Sequence, residues 1–164
     1  MGPSRLDLAV KYRGFISYSH ADANVASRLH RWLEAYRVPR RLVGRETPFG
    51  LVPTRLHPIF RDREELPTSA DLGRQIQAAL ADSATLIVVC SPRAATSRWV
   101  NEEILAYKRL GRADRILCLI IDGEPNATDK PGRAEEECFP LALRFHLASD
   151  GTLSDMPAEP IAAD

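Results

Sequence analysis

Thr85-Leu86-Ile87-Val88-Val89-Cys90 and Ile116-Leu117-Cys118-Leu119-Ile120-Ile121 decide the fold of this chain. Neither run alternates apolar with polar residues, as a strand with one wet face does. Strands buried on both faces read this way, which requires a parallel sheet covered by helices. Each run is followed or preceded by a helical pattern, the βαβ rhythm of an α/β domain. Upstream, Gly14-Phe15-Ile16-Ser17-Tyr18-Ser19 predicts a short strand closing on the polar tip Ser19-His20. Asp22 is placed to cap the next helix, whose apolar positions are Val25, Leu29, Trp32, Leu33 and Tyr36. Val38-Pro39 ends that helix, and residues 40–55, rich in Gly, Pro and Arg, form a long connection. Pro58-Ile59-Phe60 predicts a brief second strand. A charged loop follows, and then a helix capped by Ser69 or Asp71 and packed through Leu72, Ile76, Ala79 and Leu80. Residues 141–147 read as a weak edge strand. Beyond Asp150, Gly151, Pro157 and Pro160 leave little to pack.

Composition bounds the function. At 164 residues, with 45% hydrophobic and 27% charged residues, the chain is one globular domain with a real core. It carries 22 basic and 22 acidic side chains, so no net field draws it to nucleic acid or an anionic membrane. Arg37, Arg40, Arg41 and Arg45 cluster around Pro39 and read as a solvated loop. The longest apolar run is far too short to span a bilayer, and the N-terminus has no signal-peptide h-region. Cys90, Cys118 and Cys138 make no disulfide framework, and the first two read as small core hydrophobes. A cytoplasmic location is expected.

Ligands of such sheets bind at the carboxyl ends of the strands. Gathered there are Tyr18-Ser19-His20, the loop from Arg61 to Ser69, Ser91-Pro92, and the start of the segment Ser97-Arg98-Trp99-Val100-Asn101-Glu102-Glu103-Ile104-Leu105-Ala106-Tyr107. That segment reads as a helix. At about 100° per residue, Trp99, Val100, Ile104, Tyr107 and Leu110 fall on one apolar arc. Glu103 lies inside the arc and Glu102 outside it. An inward carboxylate costs free energy unless something pairs with it or uses it. Ser97 as N-cap would need its capping-box partner at position 100, which is valine. Ala106 and Tyr107, the following (i, i+3) and (i, i+4) neighbours, offer no ion pair. Trp99, one turn earlier on the same side, reads either as core or as an aromatic platform. Beside a lone carboxylate, such a platform suits a flat cationic ring next to a breaking bond.

Neither a GxxxxGK[ST] loop nor a GxGxxG fingerprint occurs. Histidines 20, 30, 57 and 146 show no ligand spacing with one another or with the cysteines, and no metal is expected. A phosphoacceptor receiver would need an aspartate at the tip of the third strand, where this chain has Cys90-Ser91-Pro92.

Four motifs in order do carry a resemblance. Phe15-Ile16-Ser17-Tyr18-Ser19, Phe60-Arg61-Asp62-Arg63-Glu64-Glu65-Leu66-Pro67, Leu86-Ile87-Val88-Val89-Cys90-Ser91-Pro92 and Ser97-Arg98-Trp99-Val100-Asn101-Glu102-Glu103-Ile104 resemble a bacterial Toll/interleukin-1 receptor (TIR) domain over residues 11–147. Residues 148–164 are then a tail leading toward a region outside this chain. The resemblance implies a flavodoxin-like parallel sheet of order 2-1-3-4-5 with helices on both faces. It also implies an NAD⁺ glycohydrolase that cleaves the nicotinamide–ribose bond. Products are nicotinamide and either ADP-ribose or a cyclic isomer, in bacterial immunity (antiphage defence) or as an effector. NAD⁺ is substrate and no cofactor is implied. Carried over, the catalytic residue is Glu103. Trp99 would stack on the ligand, and Tyr18, Ser17 and His20 border the pocket. Arg61, Asp62, Arg63, Glu64 and Glu65 belong to the loop these domains use in self-association. The alternative implied by the same resemblance is a non-enzymatic adaptor that acts through TIR–TIR contacts.

Overall fold

The computed structural model describes residues 10–48, 50–61 and 70–164, with only the backbone of 70–72. In chain order the elements are β1 (Gly14–Ser17), α1 (Ala23–Ala35), β2 (Glu46–Thr47), β3 (Gly50–Leu51), β4 (Ile59–Arg61), α2 (Ala70–Ala81) and β5 (Leu86–Cys90). Then come α3 (Pro92–Ala95), α4 (Arg98–Arg109), β6 (Ile116–Ile120), α5 (Leu141–Arg144), β7 (Phe145–Leu147), β8 (Leu153–Pro157) and β9 (Ile161–Ala163).

Five strands form one parallel sheet in the order β4-β1-β5-β6-β9. Numbered among themselves in chain order, they run 2-1-3-4-5, the flavodoxin-like arrangement that the family resemblance implied. The order reverses between β1 and β5, where Phe15, Ile16 and Ser17 pair with Leu86, Ile87 and Val88. That reversal opens the crevice in which doubly wound sheets hold ligands.

Side-chain alternation along the strands builds two cores. Phe15, Leu86, Val88, Cys90, Ile116 and Cys118 face α2, α4 and α5 and are buried there with Val100, Ile104 and Tyr107. Ile16, Ile59 and Val89 face α1, which covers them with Ala26, Val25, Leu29 and Leu33. Each large side chain so buried contributes about 1.5–3 kcal/mol. All three cysteines are buried and free. The Cys90 thiol is pushed up, first by its hydrogen bond with the Cys118 thiol and then by burial. Burial chiefly pushes the Cys138 thiol up to about 12. Thiols held so far from ionisation are poor nucleophiles. Among the described residues, no helix is long and apolar enough to cross a membrane.

Several expectations need correction. The fifth strand of the sheet is Ile161–Ala163, inside the segment read as a tail with little to pack. Three residues after Pro160 are too few to show a period, and an edge strand tolerates flanking proline. The stretch 141–147, read as an edge strand, is instead α5 and then β7, which pairs antiparallel with β8 outside the main sheet. The long connection 40–55 contains the hairpin β2–β3. Trp32 on α1 and Tyr36 at its C-cap turn outward, their rings 5.3 Å apart between centroids and tilted by 41°, so the buried stripe is narrower than the apolar pattern. Leu110, placed on the arc of α4, is exposed, because it caps the helix beyond the turn that meets the sheet. The caps Ser69 and Asp71 fall outside what the structure describes of that region.

Candidate active site

α4 carries the site, and its position is over-determined. Ser97 caps it, the hydroxyl accepting from the Val100 amide at 3.3 Å with no reciprocal partner, as valine at that position dictates. Val100, Ile104 and Tyr107 are fully buried against the sheet. The Tyr107 hydroxyl donates to the Ser83 carbonyl at 3.1 Å, on the loop before β5. Arg112 Nη1 donates to the Ala81 and Ser83 carbonyls at 2.7 and 3.2 Å. On the other flank, Asn101 Oδ1 accepts from the Ala142 amide at 2.8 Å, and Lys108 Nζ donates to the Phe145 carbonyl at 3.0 Å. Burial lowers the Lys108 ammonium's affinity for its proton.

Glu103 sits on the half-buried shoulder of this anchored helix, and Glu102 beside it is exposed. The Ser17 hydroxyl, at the end of β1, donates to Glu103 Oε1 at 3.2 Å. A groove of about 680 Å³ runs between α2 and α4. Its α2 wall is Gly73, Ile76, Gln77 and Leu80, and its α4 wall includes Arg98, Trp99, Glu102, Glu103, Ala106 and Arg109. Trp99 is 39% exposed, so this indole is a wall of the groove and not a core residue. The groove therefore brings together an aromatic face, carboxylates, guanidinium groups and apolar α2 side chains.

The other expected site residues lie elsewhere. Tyr18 follows the strand alternation to the opposite face, half-buried against the α1 cluster. His20 is exposed in the short turn His20–Asp22. Neither lines the groove. Arg61 is half-buried at the end of β4, paired in register with Ile16. Asp62, Arg63, Glu64 and Glu65 lie outside the described residues.

A polar clasp at the same rim escaped the reading of the sequence. Asp22 makes no cap hydrogen bond to α1; buried, it accepts from Ser91 Oγ at 2.5 Å and from Arg93 Nε at 2.7 Å. Arg93 Nη1 also reaches Asp122 Oδ2 at 3.2 Å, beyond the end of β6. These carboxylates raise the Arg93 pKa, through hydrogen bonds first to Asp22 and then to Asp122. The available signal was topological: an aspartate just past the first strand and Ser-x-Arg just past the third meet at the order reversal.

A family model described as a TIR domain matches residues 15–146, most of the chain. This protein belongs to the TIR domain family. It is 36% identical over 116 residues to the NAD(+) hydrolase ApTIR of Actinoplanes sp., an alignment covering 70% of this chain. The alignment spans only 15% of that relative's length. Among solved structures, the TIR domains of the activated Roq1 resistosome, which directly recognizes the pathogen effector XopQ, superpose with a TM-score of 0.51 at 19% identity. That match covers 76% of this chain and 66% of the other, and it shows the shared fold.

Proposed function

We propose that this TIR domain cleaves the nicotinamide–ribose bond of NAD⁺, with Glu103 as the catalytic carboxylate and Trp99 as the stacking platform. The observation that carries this reading is the pairing of Glu103 with a part-exposed Trp99 on the same wall of one groove. A relative 36% identical, itself an NAD(+) hydrolase, supports it. The chemistry suits one carboxylate. Nicotinamide leaves as a neutral molecule from a cationic precursor, so no acid has to protonate it, unlike the leaving group of ordinary glycosidases. Glu103 would hold ribose hydroxyls and stabilise the positive charge growing on the ribose as the bond stretches. Stacking on Trp99 would contribute about 0.5–1.5 kcal/mol beyond buried area. Guanidinium groups at Arg98 and Arg109 give the same groove positive charge for the diphosphate. Water then completes hydrolysis to ADP-ribose, or an adenine nitrogen closes a cyclic isomer, in a role in bacterial immunity or as an effector.

The test is nicotinamide release from NAD⁺ by concentrated protein, beside Glu103→Gln. Release by the wild type, and its loss in a variant with an unchanged melting temperature, is the expected result. A wild type that binds other TIR domains but releases no nicotinamide would establish the adaptor reading instead.

A further inference from the structure

Ser17 is 1% exposed, and it does not line the groove. Its backbone is fixed in register with Val88 at the centre of the sheet, and its side chain leaves β1 on the face that meets α4. A buried hydroxyl needs an acceptor, and this one finds Glu103 Oε1, 86 residues away in sequence. Donor and acceptor both stand on rigid elements: a central strand, and a helix pinned through Val100, Ile104 and Tyr107. A loop residue such as His20 could move to meet a ligand; Ser17 cannot.

We propose that Ser17 is a positioning residue, which holds the Glu103 carboxylate in its working orientation from beneath the groove and makes no contact with substrate. This rests on the reading of Glu103 given above. It replaces the pocket-bordering role that the family resemblance implied for Ser17. The 3.2 Å separation is longer than the usual O–H···O bond. Such bonds tighten in the enzyme–substrate complex, so Ser17 matters most once NAD⁺ is bound. One carboxylate oxygen is then committed to the strand.

The experiment is a kinetic double-mutant cycle, with urea unfolding of the same proteins. Ser17→Ala should lower kcat about 10- to 100-fold, the usual scale for a misplaced catalytic group, with KM within about twofold. Ser17→Thr, which restores the hydroxyl, should recover most of that loss. In a Glu103→Gln background, Ser17→Ala should add no further loss, because it acts only through that carboxylate. In urea, the shifts produced by Ser17→Ala and Glu103→Gln should be non-additive, which reports the bond itself. A Ser17→Ala variant with raised KM and normal kcat would overturn the proposal and make Ser17 a substrate contact. So would additive losses in the cycle. A wild type that releases no nicotinamide would fail the reading of Glu103 as well. An active wild type beside an unimpaired Ser17→Ala would fail this proposal alone.

Discussion

Ser91 Oγ donates to Asp22 Oδ2 at 2.5 Å, joining the turn after β1 to the start of α3 across the point where the strand order reverses. The same Ser91 hydroxyl accepts from the Ala94 amide at 3.0 Å and so caps α3. Asp22, 4% exposed, holds both Ser91 and Arg93. Its removal strands a buried hydroxyl and frees a guanidinium.

Asp22→Ala should therefore destabilise the domain by about 2–3 kcal/mol, the scale of hydrogen bonds to a buried charge. Ser91→Ala should cost about 1–2 kcal/mol, since it loses a cap as well as a bond to Asp22. Arg93→Ala should cost under about 1 kcal/mol, because that side chain is 42% exposed and solvent replaces its partners. Urea unfolding gives the order directly. An Arg93→Ala effect equal to that of Asp22→Ala would show that the ion pair, and not the Ser91 bond, holds the rim.

The parallel sheet was legible because Leu86–Cys90 and Ile116–Ile120 are long, apolar and uninterrupted, although only the first is buried on both faces, and Leu117 on the second is exposed. Ile161–Ala163 was not, since a three-residue strand acquires its identity from pairing with Leu117, Cys118 and Leu119. On α4, periodicity separated Glu103 from Glu102 and left Trp99 open between core and platform, but misjudged Leu110. An arc drawn on a wheel gives direction and not depth, and Leu110 caps the helix beyond the turn that meets the sheet. Tyr18 and Ser17 show the same limit from the other side. Both stand at one strand tip, and only the faces of the sheet separate Tyr18, on α1, from Ser17, under Glu103.

The two adjacent glutamates make a paired test. Glu103→Ala should lower kcat by about 10²–10³ or more, as loss of a preorganised charge does. Glu102 is exposed but lines the same groove, so Glu102→Ala should act on KM, by a few-fold, and leave kcat near normal. Equal losses of kcat in the two variants would remove the assignment of Glu103.

Trp99 separates stacking from packing more cleanly than its sequence position allowed. A fully buried tryptophan replaced by alanine costs about 3–5 kcal/mol. At 39% exposure, Trp99→Ala should cost well below that range, while activity falls steeply and Trp99→Phe keeps part of it. Melting temperature and single-turnover rate, measured together, decide. A large drop in melting temperature with normal turnover in the folded fraction would return Trp99 to the core.

Alkaline pH should unfold the domain through its buried thiols and phenol. The Cys138 thiol is raised from 9.0 to about 12, and burial raises the Tyr107 hydroxyl from 10.0. A raised folded value keeps the stabilising contribution whole below the unfolded value. For Cys138 that contribution is lost as pH climbs from about 9 to about 12. Lys108 has the opposite sign. Its lowered value makes stability rise with pH up to its ordinary 10.5, so the net fall should steepen above that point. Cys138→Ala should flatten part of the fall in urea midpoint, and the native protein should resist thiol reagents at neutral pH. Rapid labelling of all three cysteines without unfolding would contradict the burial that underlies these shifts.

The last prediction concerns what closes the groove. Trp99 and Glu103 line a groove that stands open between two helices, so water would reach a bond broken there. Excluding it takes a second surface, which strengthens every charge interaction inside. The segment Arg61, Asp62, Arg63, Glu64 and Glu65 begins at the last residue of β4, a strand next to β1 in the sheet, and interleaves both charge signs. A second copy of the domain meeting it would form a salt-sensitive contact. The isolated domain should then be a weakly active monomer whose specific activity rises with protein concentration or crowding, since the enclosed site exists only in the assembly. Charge reversal at Asp62 or Glu65 should lower activity at a given concentration, and excess protein should restore it. Specific activity across a wide dilution series, at low and high salt, is the measurement. Flat, salt-independent activity would mean that one chain encloses the bond by itself, and the assembly would have no part in the chemistry.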